Sequence, residues 1–368
     1  MASVATTDTK AQVPAVPTRL RSRNRRWQRV RERGILSLLA GSAGFSVLVT
    51  AAIVGILLAE TVAFFSQPFV VGEANLWRHA VAGTHSPALP LSGPLRLVEQ
   101  PLRYAHAVNI PLTRRVSLRE FLTGTQWNPL LGKEKHFGIW PLLCGTLLVT
   151  AVAMIVALPL GLVTAVYLSE YAPASVRAVL KPTLELLAGI PTVVFGFFAL
   201  MVITPALNHV FQGAFEVYNA TSAGLAVGIL CLPIVCSLSE DALHAVPRSL
   251  REAAYGLGAT RFEVSVRVVV PAALSGIVSA FLLAIARAVG ETMIVALAAG
   301  SSPRLTLDPR QQVQTMTGYM AQMASGDVSN YGVEYRSMYA VAAMLFVITL
   351  GLTMLGHLIR RRFREAYA

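Results

Sequence analysis

The sequence predicts an all-α, polytopic membrane protein with six transmembrane helices. Of its 368 residues, 54% are hydrophobic and 14% charged, against about 25% charged in a typical soluble domain. Six apolar segments recur, at 35–65, 138–168, 183–207, 220–239, 271–300 and 338–358. Each can supply the roughly 20 helical residues that cross a hydrocarbon core. Helix is the expected state of each, because lipid offers no outside partner to backbone polar groups.

Residues 1–34 form a basic tail. Lys10 and eight arginines stand against Asp8 and Glu32, a net +7 in a chain of formal charge +12. Its position directly before an apolar run points to a positive-inside topology signal rather than to nucleic acid, and so to a cytoplasmic N-terminus. The first part of the tail has the composition of a disordered segment. The first span, 35–65, contains an uncharged run from Ile35 to Ala59, too long for a signal-peptide core of about 7–15 residues. It is expected to be retained.

The 66–137 loop is then external, although it carries eight Lys/Arg. Long loops cross membranes with little regard to charge. Its Pro-rich 87–111 stretch is expected to be irregular. Residues 138–358 hold five further spans and a polar island, with a cytoplasmic loop at 240–270. The tail at 359–368 carries Arg360, Arg361, Arg362 and Arg364 and is expected to be cytoplasmic as well. Glu170 and Glu185 read as interfacial residues at span ends, and Arg177 and Lys181 fit the topology rule. Cys144, Cys231 and Cys236 lie in apolar runs without metal-ligand spacing and read as small buried residues.

Several spans carry packing signals. Gly189-Ile190-Pro191 and Gly196 invite a kink in the third. Gly224 and Gly228 form a GxxxG pair in the fourth. Ala272, Gly276, Ala280, Ala284 and Ala288 place a small residue at every fourth position of the fifth. Such stripes let helices approach closely, either within one chain or between subunits.

The polar island, Glu240 to Arg267, is too well built for a connector. Ser249-Leu250-Arg251-Glu252 fits a capping box, and Thr260-Arg261-Phe262-Glu263 fits it again. Gly258 between them suits a helix stop, and Pro271 suits the opening of the next span. Leu250, Ala253, Ala254 and Leu257 fall on one side of the first short helix. That side suits a shallow groove on another protein, or packing on the same chain. Glu252 is open to a partner or serves only as a cap.

Arg287 and Glu291 stand four residues apart inside the fifth span, hence on one helical face. Buried charges cost several kcal/mol unless paired, at the order-of-magnitude level, and intramembrane ionisable residues point to function. A guanidinium matches two oxygens of a phosphate-like oxyanion. Two readings stand: an Arg–Glu pair facing a polar pathway, and a salt bridge that fixes helix packing. The sequence contains no G-x-x-x-x-G-K-[ST] phosphate loop and no Ser/His/Asp or metal-ligand arrangement, so no catalytic or metal residue is assigned.

Two resemblances sharpen this picture. Glu252-Ala253-Ala254, three residues, Gly258, nine residues and Val268-Val269-Val270-Pro271 resemble the signature of ABC-importer permeases, with valines in place of its Ile and Leu. The runs Arg287–Gly300, Leu184–Phe198 and Phe121–Pro129 resemble the phosphate-importer permeases of the PstC type. The resemblance covers roughly residues 117–358 and part of the first span; the 66–116 insert and the N-tail match nothing in it.

The resemblance implies a type I ABC-importer permease fold, with 138–358 as the permease core and a coupling helix in the 240–270 loop. It implies substrate-pathway roles for Arg287 and Glu291. It implies ATPase coupling through Glu252, Ala253, Ala254, Gly258, Leu250 and Leu257. The implied partners are a homologous second permease (PstA-type), an ATPase homodimer (PstB-type), an external phosphate-binding protein (PstS-type) and membrane lipid. No cofactor is expected on this chain, since ATP with magnesium would be used by the ATPase. The implied location is the bacterial cytoplasmic (inner) membrane. A permease for sulfate or molybdate, an ion-coupled secondary transporter and a docking scaffold remain as rivals.

Overall fold

The computed structural model describes residues 22–70, 113–129, 135–326 and 332–362. The start of the basic tail, the Pro-rich 87–111 stretch and the last six residues lie outside the described residues. The chain divides into two compact units, Met1–Ile56 and Leu57–Ala368.

Helix α1 (Ser22–Ser66) starts inside the arginine-rich tail rather than at 35, and its first part makes up the described portion of the first unit. In the second unit, strands β1 (Phe69–Val70) and β2 (Thr113–Arg114) pair antiparallel. Helix α2 (Leu118–Thr123) is capped by Ser117, whose hydroxyl accepts from the Glu120 N–H at 3.1 Å. Strands β3 (Trp127–Asn128) and β4 (His136–Phe137) form a second antiparallel pair. These small pieces enclose an aromatic core. Phe121, Trp127, Phe137 and Tyr319 are buried there, with Phe64 from the end of α1, and the rings meet edge to face. That geometry suits the aromatic quadrupole.

Helix α3 (Trp140–Val166) continues as a π-helical turn to Tyr171. Helix α4 (Ala174–Ala188) follows. Helix α5 (Thr192–Phe198), a π turn (Ala199–Ile203) and α6 (Thr204–Val210) then run on as one span. The expected third span, 183–207, is therefore corrected. Gly189-Ile190-Pro191 ends one helix and starts another instead of kinking a single one. Pro191 sits extended at the N-cap of α5, and a residue before proline is pushed out of helical space.

Helix α7 (Ala220–His244) is capped by Asn219, whose side chain accepts from the Ser222 N–H at 2.7 Å. It reaches past the expected end at 239, so Glu240 belongs to a span rather than to the polar island. Helix α8 (Arg248–Gly256) follows, then α9 (Arg261–Val264), a π turn (Ser265–Val269) and α10 (Val270–Ala272). Helix α11 (Leu274–Val289) leaves α10 at a 70° bend. Pro271 thus falls within a continuing helical run rather than opening a span. Helices α12 (Met293–Ala298), α13 (Met316–Ser325) and α14 (Val333–Arg362) complete the chain.

Among the described residues, five helices are long and apolar enough to cross a membrane, and the bent pair Arg261–Ala272 and Leu274–Val289 makes a sixth when taken as one span. Each of the three π turns among the described residues ends two residues before a proline: Pro173, Pro205 and Pro271. Proline lacks an N–H and its ring crowds the carbonyl four residues back; a wider turn relieves that crowding.

Helices α3 and α7 share the largest packing interface and run parallel. Gly224 lies against Val152 and the Val149 carbonyl, Gly228 against the Ala153 carbonyl, and Gly161 against Val235. The small-residue stripe of α11 is likewise used within the chain: Gly276 abuts Ala242, and Ala280, Ala284 and Ala288 are buried. Of the two packing readings, intrachain contact is the one observed. Cys231 and Cys236 are buried as expected, while Cys144 is half-buried with its Sγ 3.2 Å from the Thr306 carbonyl.

Candidate functional site

The fifth span does not cross as one rod. Helix α11 ends at Val289, Gly290 through Thr292 break it, and α12 restarts at Met293. Arg287 occupies the last turn of α11, where the carbonyl end of the helix favours a cation. The Glu291 N–H bonds the Ala288 carbonyl at 3.2 Å. This extends the turn enough to bring the two side chains together, and the Arg287 guanidinium donates to the Glu291 carboxylate. The pairing expected from the four-residue spacing is present, but across a helix break rather than along a continuous helix.

The two partners differ in environment. The Glu291 side chain is 3% exposed and that of Arg287 38%. The Thr317 hydroxyl on α13 donates to the Glu291 backbone carbonyl at 2.5 Å. Among the described residues the carboxylate is the only partner of the guanidinium, which carries five N–H donors. Arg287 therefore keeps donors without a partner among the described residues, beside a buried counter-charge. The site lies near mid-depth of the bundle: one turn before Arg287, the Ala284 carbonyl faces Cys231, at the middle of α7.

The polar island differs from its sequence reading in one cap and one face. Helix α8 starts at Arg248 after Pro247, with no side-chain cap, so the Ser249–Glu252 box does not form. Proline pre-sets the backbone at the helix start, and Ser249 already lies inside the helix. The second box does form: Thr260 accepts from the Glu263 N–H, and the Glu263 carboxylate accepts from the Thr260 N–H at 3.0 Å. Gly258 adopts φ +84°. The Gly258 N–H bonds the Tyr255 carbonyl, and the Ala259 N–H bonds that of Ala254. Together these form a Schellman stop.

The apolar side of α8 is split. Leu250 and Ala254 pack onto a core of Leu168, Leu243 and Val264. Glu252, Ala253 and Leu257 face outward, with Leu257 90% exposed and Phe262 66% exposed beside it. Freed from capping, Glu252 has no partner among the described residues.

Two charged contacts went unread in the sequence. Glu170, one residue before the end of α3's π turn and hence at a span end as expected, is 7% exposed and pairs with Arg251 at 3.0 Å. Glu240 is 1% exposed and meets Arg177 at 2.7 Å and Lys181 at 3.2 Å, both from α4. Burial opposes the charge on Lys181, but the Glu240 bond and the neighbouring carboxylates outweigh it and hold its pKa above the ordinary lysine value. The four-residue spacing of Arg177 and Lys181 was the available signal. Glu185 is exposed and lies within α4, ahead of the span that starts at Thr192, rather than at the mouth of a span.

A multi-pass helical bundle, with one span broken at a buried ion pair and a connecting helix that exposes apolar and acidic residues, defines an integral membrane component built to work with other chains. Residues 157–365 match the family described as "Binding-protein-dependent transport system inner membrane component". The chain belongs to that family. It is 34% identical over 252 residues to a probable ABC transporter permease protein, YqgH, of Bacillus subtilis, covering 68% of this chain and 81% of the relative. It is 32% identical over 247 residues to the phosphate transport system permease protein PstC of Mesorhizobium japonicum, covering 62% and 74%. A phosphate transport system permease protein PstA 1 of Mycobacterium tuberculosis is 42% identical over 171 residues, covering 46% and 54%.

Proposed function

We propose that this chain is the PstC-type permease subunit of an ATP-driven, type I importer of inorganic phosphate, and that it forms half of the translocation pathway. The observation that carries this reading is the outward-facing Glu252-Ala253 edge of α8, in a family member without a nucleotide loop. That edge is where a separate ATPase pair would dock, using ATP and magnesium that this chain does not bind. A homologous permease would supply the other half of the pathway, and an external binding protein would deliver the anion. On this reading the chain lies in the bacterial inner membrane with both termini cytoplasmic.

Phosphate as the substrate draws support from the relatives named for it and from the chemistry of Arg287. A guanidinium with unused donors can receive two oxyanion oxygens, and the Glu291 carboxylate neutralises it between passages. Closure of the ATPase pair would push on α8 and open the pathway around the helix break alternately to each side. The test is labelled phosphate uptake by vesicles holding the full complex. Uptake should need both ATP and the binding protein, and sulfate or molybdate should not compete. ATP-independent uptake by this chain alone would instead indicate an ion-coupled secondary transporter.

A further inference from the structure

We propose that Arg251 is a positioning residue that ties helix α8 to the C-terminal ends of α3 and α7, so that a load on α8 moves both spans as one body. The proposal rests on the importer reading above and names the part that carries its force. Arg251 stands beside Glu252 in sequence but points the other way, since neighbours on a helix differ by about 100°. Glu252 faces out, whereas the Arg251 side chain is 16% exposed.

Its guanidinium makes three contacts. Nη2 donates to Glu170 at 3.0 Å and to the Leu243 carbonyl at 2.8 Å; Nη1 donates to the Val246 carbonyl at 2.6 Å. Each acceptor belongs to a different piece of the structure. Glu170 lies in the π turn that follows α3, Leu243 lies in the last turn of α7, and Val246 lies in the connector leading to α8. Leu243 would normally receive the N–H four residues on, but that residue is Pro247, which has none. The Leu243 carbonyl instead accepts the Val246 N–H at 3.3 Å, and Arg251 adds a second, shorter bond at 2.8 Å. The Ser169 hydroxyl also donates to Glu170 Oε1 at 3.0 Å, which holds the carboxylate in place.

The two spans so tied already form a unit, since Gly161, Gly224 and Gly228 bring α3 and α7 into backbone-close contact. A planar guanidinium spreads its donors over a rigid fork, whereas a lysine ammonium offers three donors from a single point on a flexible stem. Without Arg251, α8 would keep its apolar contacts through Leu250 and Ala254. Those contacts allow sliding; charge-assisted hydrogen bonds fix direction.

The experiment uses the full complex in vesicles and measures phosphate transported per ATP hydrolysed, with assembly followed by co-purification. Arg251→Ala should lower this ratio by roughly tenfold, the scale of one lost charge-assisted hydrogen bond. Glu170→Gln should lower it less, and the double variant no further than Arg251→Ala alone, because both act through one contact. Arg251→Lys should recover part of the loss. A merely structural role would reduce transport and hydrolysis together and leave the ratio unchanged. An unchanged ratio in an assembled Arg251→Ala complex, or losses that multiply in the double variant, would overturn the proposal. Should Arg251→Ala fail to assemble, the volume-preserving Glu170→Gln carries the test, and an unchanged ratio there overturns it equally. Wild-type complex that shows no ATP-driven phosphate uptake would fail the importer reading and this proposal with it; wild-type uptake with an unaltered variant ratio would fail only the role of Arg251.

Discussion

Arg287→Ala would leave the Glu291 carboxylate, 3% exposed, without its counter-charge. Removing one partner of a buried ion pair costs about 3–5 kcal/mol. The guanidinium is itself 38% exposed, so water already reaches its side of the pair, and the cost should fall at the low end, about 3 kcal/mol. That is roughly a hundredfold in the folding equilibrium. Changing Glu291 to Gln in the same chain removes the orphaned charge and leaves only an imperfectly satisfied amide, worth about 1 kcal/mol. The double variant Arg287→Ala/Glu291→Gln should therefore be more stable than Arg287→Ala by about 2 kcal/mol, from the difference of these two costs. Reversible unfolding in mixed micelles measures this difference, and labelled phosphate uptake by the assembled complex measures function. Stability should return in the double variant while transport stays absent. A double variant no more stable than the single would refute the buried-pair reasoning, and uptake in either variant would reduce the pair to packing.

Three further outcomes are expected. Gly228→Val places a Cβ 2.9 Å from the Ala153 carbonyl, a backbone atom that cannot swing away; overpacking of about 1–3 kcal/mol should reduce the monodisperse fraction in gel filtration, whereas Gly351→Ala, which meets open space, should not. Glu252→Lys, at an exposed position without a partner, should leave the thermal midpoint of the isolated chain unchanged and abolish ATP-driven uptake by the complex; a lowered midpoint would mean that the residue supports the fold. Glu240→Gln should cost about 1–2 kcal/mol, less than a fully buried pair, because Arg177 and Lys181 are each about one-third exposed and can turn to water. Lys181 has a raised pKa, so its contribution is fully present below the ordinary value of 10.5 and is lost as pH rises through the higher folded value. The stability gap between wild type and Glu240→Gln should thus hold through neutral pH and narrow only above 10.5, as followed by pH-dependent unfolding.

The span count, the membrane class and the second capping box were legible in the sequence, because each depends on local chemistry. Apolar length decides whether a segment crosses lipid, and Thr260 and Glu263 are close enough in the chain to find each other wherever the helix lies. The Arg287–Glu291 pairing was legible for the same reason. Its setting was not: four-residue spacing is compatible with a continuous helix, and only the packing of α12 against α5, with Gly196 against Leu297, shows how the chain beyond Gly290 is held away from the line of α11.

Tertiary structure alone decided which side of each charged residue matters. Ser249 and Glu252 have the spacing of a capping box, yet with Pro247 at the N-cap the helix starts two residues too early for it, which leaves Glu252 free to face outward. Leu250 and Leu257 share an apolar character in the sequence, but one packs on the chain and the other is 90% exposed, because the surface beneath α8 joins the end of α7 and α9 to Leu168 beyond α3, which is far away in the chain. Glu170 with Arg251, and Glu240 with Arg177, are separated by dozens of residues, and such pairs are set by how spans return beside one another. The sequence by itself determined that this chain crosses the membrane about six times and carries a polar loop with its own helices. The parallel packing of α3 and α7 decided what that loop is fastened to, since only close backbone approach at their glycines brings both helix ends within reach of one guanidinium.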